Sequence, residues 1–230
     1  FGSRLQPLTL TTPKPLIEVN GITMIESVIT KLLANQIEEI YVVVGYLKEK
    51  FAFLSEKYPN LKLIENPYYD KANNISSLYV AREVLNEDLV ILDGDQIIVN
   101  QKILQRDFNQ SGYLCSFAEE SNEWLLQLDK KNQITSCQRE GGSNGWRLYS
   151  VSYWAKSDAL KLQKQVTMDF TQNKITDVYW DDIAMFMHKQ DYALRGYKID
   201  EGDLKEIDNL KELVQEDAHY AEVLNKELTK

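Results

Sequence analysis

Apolar positions along this chain change their period several times. Short β-branched runs at Ile40 to Val44, Leu61 to Glu65 and Leu89 to Leu92 alternate with stretches whose apolar residues recur every three or four positions. Met24 to Asn35 shows the second pattern most plainly. Its residues Ile25, Val28, Ile29, Leu32 and Leu33 form one stripe, which predicts a helix feeding a buried strand that ends at Gly45. The same reading predicts helices over Lys48 to Tyr58 and Ser76 to Leu85. Such alternation predicts an α/β fold, a mixed and mostly parallel sheet flanked by helices, with ligand groups at the strand ends. Toward the carboxyl end, Leu210, Leu213, Val214, Ala218, Ala221, Leu224 and Leu228 step by threes and fours. They predict one or two amphipathic helices that cover the sheet or, alternatively, form a homodimer contact.

Composition narrows the function. No low-complexity linker divides the 230 residues, and 43% hydrophobic content is ample for a core, so one domain over 1–230 is expected. With 26 basic against 35 acidic residues and a net charge of −9, the chain lacks the basic face that a nucleic acid requires. No apolar run approaches the roughly 20 residues needed to cross a bilayer, and no secretory leader opens the chain, which predicts a cytoplasmic protein with no membrane partner. Cys115 and Cys137 read as buried free thiols.

Against that acidic background the first basic residues stand out. Gly2-Ser3-Arg4-Leu5, Pro7-Leu8-Thr9 and Pro13-Lys14-Pro15-Leu16 combine a small-residue turn with one Arg and one Lys. Gly2 lets backbone approach a ligand, free N–H groups can line an anion, and Arg4 and Lys14 supply fork-shaped and point-like charge for phosphate oxygens. Leu89-Val90-Ile91-Leu92-Asp93-Gly94-Asp95 delivers a carboxylate to a strand end, where it could serve as a hard-oxygen magnesium ligand beside phosphates. Asp208, in Glu206-Ile207-Asp208-Asn209, is a second candidate, or else Asp208-Asn209 caps the following helix. Aromatic residues stand beside acids twice, in Asn122-Glu123-Trp124-Leu125 and Tyr179-Trp180-Asp181-Asp182. Rings plus negative charge are how proteins hold a quaternary ammonium, although aromatic residues more often pack in cores.

The loop G-S-R-L-x-P-L-T-x-x-x-P-K-P-L resembles the signature of nucleotidyltransferases that join a nucleoside triphosphate to a phosphorylated small molecule. N-E-W-L, Y-W-D and E-I-D-N narrow the resemblance to bacterial CTP:phosphocholine cytidylyltransferases, across nearly the whole chain. The implied fold is Rossmann-like, of the nucleotide-diphospho-sugar transferase or GT-A kind. In that family a buried strand running into Leu-Ala-Ala-Gly precedes the position of Phe1, so the domain is expected without its first strand. The resemblance implies catalytic Arg4 and Lys14, nucleotide contacts at Gly2, Ser3, Arg4, Lys14, Asn73, Ser77 and Asp93, and magnesium on Asp95 and Asp208. It places choline among Trp124, Tyr179, Asp181 and Glu206. Asn73 and Ser77 come from Asn73-Asn74-Ile75-Ser76-Ser77-Leu78, where the asparagines could instead cap a helix.

The implied reaction is in-line attack by a phosphocholine oxygen on the α-phosphorus of CTP, releasing pyrophosphate and CDP-choline. No general base is needed, because the attacking oxygen is already ionised, and His188 and His219 read as structural or surface residues. Gly141-Gly142-Ser143-Asn144-Gly145 is expected to be a flexible hairpin or lid. Competing readings are a cytidylyltransferase for an aminoalkyl phosphonate, a sugar-phosphate nucleotidyltransferase, and a catalytically silent nucleotide-binding homologue. A primary amine would favour more acid and fewer rings.

Overall fold

Two short strands, β1 (Glu18–Val19) and β2 (Ile22–Thr23), pair antiparallel across Asn20-Gly21, which hold φ of 52° and 84°. Positive φ at both central residues is what a tight hairpin of this hand demands, and Asn-Gly supplies it cheaply. Thr23 then caps α1 (Met24–Ala34): its Oγ1 accepts from the Glu26 N–H at 3.3 Å and donates to Glu26 Oε2 at 2.8 Å. The computed structural model describes residues 2–105 and 109–228. In chain order the further elements are β3 (Ile40–Val44), α2 (Ala52–Lys57), β4 (Leu61–Glu65), α3 (Ile75–Val80), β5 (Leu89–Leu92) and β6 (Gln96–Ile98). After them come β7 (Gly112–Ser121), β8 (Leu125–Leu128), β9 (Ile134–Gln138), β10 (Gly142–Trp154) and α4 (Lys156–Thr171). The last are β11 (Arg195–Lys198), β12 (Leu204–Glu206), α5 (Leu210–Glu216) and α6 (Ala221–Leu228).

The chain divides into two compact units. One comprises the segment up to Leu63, Gly94–Leu104 and the chain from Gly202 onward. Within it β6 pairs antiparallel with β12, and Leu5, Ile17, Val19, Met24, Ile207, Leu210 and Leu213 form a buried cluster. Tyr220, Val223 and Leu224 pack against that cluster, so the carboxyl-terminal apolar stripe closes the core of this unit.

The other unit comprises Ile64–Asp93 and Gln105–Glu201. Its centre is β10, which pairs antiparallel with β5, β7 and β8, while β9 joins β8 and β11 lies parallel to β7. The sheet is mixed, as expected, but the mostly parallel balance that alternation suggested does not hold here. From β7 to β11, among the described residues, an α-helix intervenes once, as α4 between β10 and β11, whereas β7 to β10 return by short turns, and short returns make antiparallel pairs. The helix expected over Ser76 to Leu85 is α3 followed by a 3-10 turn at Arg82–Val84, whose Arg82 carbonyl accepts from Gln163 Nε2 at 2.7 Å.

The glycine-rich segment is not a lid. Gly142, Ser143 and Gly145 open β10 opposite Ser121, Glu120 and Ala118 of β7. A Cβ on Gly145 would sit 2.6 Å from Leu125 Cγ, so the missing side chain is what lets β10 cross Leu125.

Candidate functional site

In the first unit the amino-terminal turn is held by its own backbone. Gly2 has φ 64° and ψ 35°, a left-handed conformation suited to glycine, and its carbonyl accepts from Leu5 N–H at 2.9 Å and Thr9 Oγ1 at 2.8 Å. Ser3 and Arg4 begin the 3-10 turn Ser3–Leu5, anchored by fully buried Leu5. The Tyr46 hydroxyl donates to the carbonyls of Thr9 and Leu10 at 3.1 Å each, and Lys50 Nζ donates to the Thr11 carbonyl. The Gly45-Tyr46 turn after β3 thus ties down the loop between Arg4 and Lys14.

The four charges that the sequence singled out meet in this unit. Lys14 Nζ lies 2.8 Å from Asp95 Oδ2 and 3.0 Å from Asp208 Oδ1, and Arg4 Nη2 lies 3.3 Å from the same Asp208 oxygen. Burial alone would lower the Lys14 ammonium, but the charges and hydrogen bonds of Asp95 and Asp208 override it and hold its pKa above the usual value. Asn209, not Asp208, caps α5: its Oδ1 accepts from Glu212 N–H at 3.1 Å. Asp208 therefore keeps its carboxylate for Lys14 and Arg4. Among the described residues no group of three or more His, Cys, Asp or Glu converges as a self-sufficient metal cage. Two hard-oxygen donors within reach of one nitrogen suit magnesium, which takes its other ligands from phosphates and water. Glu206 belongs to this unit too and accepts from Gln96 Nε2 at 3.1 Å across the β6–β12 pair.

The second unit carries the remaining candidates. Asn73 Oδ1 accepts from the Asn74 N–H at 2.7 Å, and Ser77 Oγ accepts from Asn66 Nδ2 at 3.2 Å. Asn74 makes no side-chain cap on α3; its Oδ1 accepts from the Trp180 N–H at 2.8 Å and so fixes the segment that bears Tyr179. Asp93 follows β5 at the end of its strand.

Trp124 and Tyr179 do come together, edge to face with centroids 5.8 Å apart, and Phe186 lies 5.5 Å from Trp124 in the same manner. Over these rings lies a cation of the chain itself. The Arg139 guanidinium carbon is 3.9 Å from the Phe186 centroid and 5.6 Å from that of Trp124. Arg139 Nε donates to Asp182 Oδ1 at 3.0 Å, Nη2 donates to the same oxygen, and Asp182 Oδ2 accepts from the Tyr179 N–H at 2.9 Å. The carboxylate that faces the rings is thus Asp182. Asp181 turns the other way, into the interior beside Tyr113, where its Oδ1 and the Tyr113 hydroxyl have no hydrogen-bond partner of ordinary geometry. Burial, reinforced by the Asp182 charge and partly offset by Tyr113, pushes the Asp181 carboxyl up to about 7.

Arg139, Asp182 and Phe186 escaped the sequence reading. The doubled acid in Tyr179-Trp180-Asp181-Asp182 is visible in the sequence, but which acid faces the rings depends on the short π-helix Ile183–Met187 that follows. That helix presents Phe186 as well. The two histidines fit their structural reading: His188 Nε2 meets buried Asp169 at 2.8 Å, and His219 pairs locally with Asp217. Burial pushes both thiols, Cys115 and Cys137, up to about 12, which makes them inert at neutral pH.

Residues 1–173 match the MobA-like NTP transferase domain. The chain is 36% identical over 226 residues to the 2-aminoethylphosphonate cytidylyltransferase of Lancefieldella rimae, covering 97% of this chain and 91% of that one. It is 33% identical over 185 residues to the choline-phosphate cytidylyltransferase of Streptococcus pneumoniae, covering 80% and 79%. The solved CTP:phosphocholine cytidylyltransferase from Streptococcus pneumoniae (LicC) superposes with a TM-score of 0.85 at 30% identity, covering 93% of this chain and 92% of that one. No described helix is long and apolar enough to cross a membrane.

Proposed function

Because the chain belongs to the MobA-like NTP transferase family, as a nucleotidyltransferase of the cytidylyltransferase kind, we propose that it transfers CMP from CTP to a small acceptor bearing a phosphate or phosphonate and a cationic amine. Phosphocholine and 2-aminoethylphosphonate are the two acceptors of this description that its relatives' names supply. The observation that carries the acceptor class is the Trp124, Phe186 and Asp182 cluster, which already accommodates a cation. The side chain of Asp182 is 4% exposed, and a neutral sugar leaves its charge uncompensated where a cationic amine pairs with it.

An ionised acceptor oxygen attacks the α-phosphorus of CTP. The new O–P bond forms as the bond to the β-phosphate oxygen breaks, pyrophosphate leaves, and no proton has to be removed. Arg4, exposed over 68% of its side chain, and Lys14 neutralise triphosphate oxygens. Asp95 and Asp208 would hold magnesium, which when bound supplies Lewis-acid charge to the phosphates. Lys14 also compensates the carboxylate pair when no other cation does so. Gly2 and Ser3 present backbone to the nucleotide. Asn73, Ser77 and Asp93 contribute nucleotide contacts, and Trp124, Tyr179 and Asp182 receive the amine.

The test is pyrophosphate release with CTP, UTP or ATP against phosphocholine, 2-aminoethylphosphonate and glucose 1-phosphate, with magnesium present or chelated. Turnover with CTP and an amine-bearing acceptor, lost on chelation, supports the reading. Equal turnover with the sugar phosphate, or none with any pair, overturns it.

A further inference from the structure

The Arg139 guanidinium lies against Trp124, Phe186 and Asp182, in the cluster where the amine of the acceptor is expected. We infer that Arg139 is a placeholder cation: it fills the ring-and-carboxylate cluster in the free protein and exchanges, charge for charge, with the ammonium of the acceptor. The inference rests on the reading of this cluster as the receiver of the amine.

Three features of the geometry support exchange over permanent structure. Asp182 is 4% exposed in its side chain while Arg139 is 48% exposed, so the acid is fixed in the protein and its partner sits at the surface. Asp182 has an anchor that does not involve Arg139, the Tyr179 N–H, which keeps the carboxylate oriented when the guanidinium leaves. Arg139 itself follows β9 in the turn before β10, outside either strand, where a long side chain can swing without disturbing the ladder. The rings hold one another edge to face and do not need Arg139 to stay in place.

Exchange also gives selectivity a physical source. Removing Arg139 without replacement would strand a buried carboxylate, which is strongly unfavourable, so an uncharged acceptor cannot displace it. A cationic acceptor restores both the ion pair and the cation–π contacts. Part of the discrimination against neutral molecules of similar size therefore comes from the resting state, through a cation that only another cation can replace.

Binding of tetramethylammonium and of ethylammonium, each without CTP, tests this by titration calorimetry on the whole chain and its variants. Removing a half-exposed ion pair and one cation–π partner predicts that Arg139→Ala binds both cations about tenfold more tightly than wild type. Arg139→Gln, which keeps most of the side chain's packing, is predicted to bind more tightly as well and serves if the alanine variant is unstable. Asp182→Asn should abolish the gain when combined with either. Unchanged or weaker cation binding in a folded Arg139 variant overturns the placeholder. Binding to neither wild type nor variants also overturns it and removes the cluster from the acceptor site, whereas the pyrophosphate-release assay judges cytidylyl transfer independently.

Discussion

Replacing Asp181 with Asn should make the protein more stable at neutral pH and leave it unchanged in acid. The Asp181 carboxyl is buried, its Oδ1 has no hydrogen-bond partner, and its neighbours are the Tyr113 hydroxyl, the Cys137 thiol and the Asp182 carboxylate, none of them a cation. It titrates at about 7 in the folded protein against an ordinary value of 3.8. Below about pH 4 both folded and unfolded chains carry the proton, and the group is neutral in its effect. As pH rises the unfolded chain ionises first, so the native state holds the extra proton and stability falls until the folded carboxyl has also ionised. At 1.36 kcal/mol per pKa unit the loss is about 4 kcal/mol above pH 7. Asn has nearly the same shape and never ionises, so it escapes this loss. Thermal melts from pH 4 to pH 8 should show Asp181→Asn and wild type converging in acid and separating with pH, by about 10 °C at pH 8 for a chain of this size. A melting difference that does not change with pH, or an Asn variant that is less stable at pH 8, would refute the reasoning that Asp181 is an uncompensated interior carboxyl.

Asp208→Asn and Asn209→Ala should separate chemistry from capping. The first should lower turnover by about a hundredfold or more with stability nearly unchanged, and the second should cost about 1 kcal/mol in chemical denaturation. Lys14→Gln should cut kcat/KM by about a hundredfold or more in steady-state assays, because it removes a triphosphate cation and the ion-pair partner that Asp95 and Asp208 share. Tyr46→Phe deletes the hydroxyl that ties down Thr9 and Leu10, and KM for CTP is expected to rise several-fold. Gly145→Ala should lose about 1–3 kcal/mol in urea unfolding, since its Cβ would lie 2.6 Å from Leu125 Cγ; full stability would remove the packing explanation for that glycine.

The sequence by itself determined the elements whose signals are local. The apolar stripe of α1, the β-branched runs of β3, β4 and β5, and the turn chemistry around Gly2 depend on neighbours a few positions apart, and they lie where the pattern put them. It also marked Arg4, Lys14, Asp95 and Asp208, because charges placed at a turn and at strand ends stand out in a chain of this composition. Only the tertiary structure decided what those groups face. Local spacing left Asp208 either a helix cap or a site residue, and the fold assigned capping to Asn209. The glycines of Gly141 to Gly145 read as flexible because part of their reason, the close passage of the Ser121 carbonyl at Gly141 and of Leu125 at Gly145, lies some twenty residues away in sequence. Adjacent Asp181 and Asp182 are chemically identical on paper. Both are buried, but the backbone at the start of a π-helix turns one to Tyr113 and the other to Arg139, partners far from them in sequence.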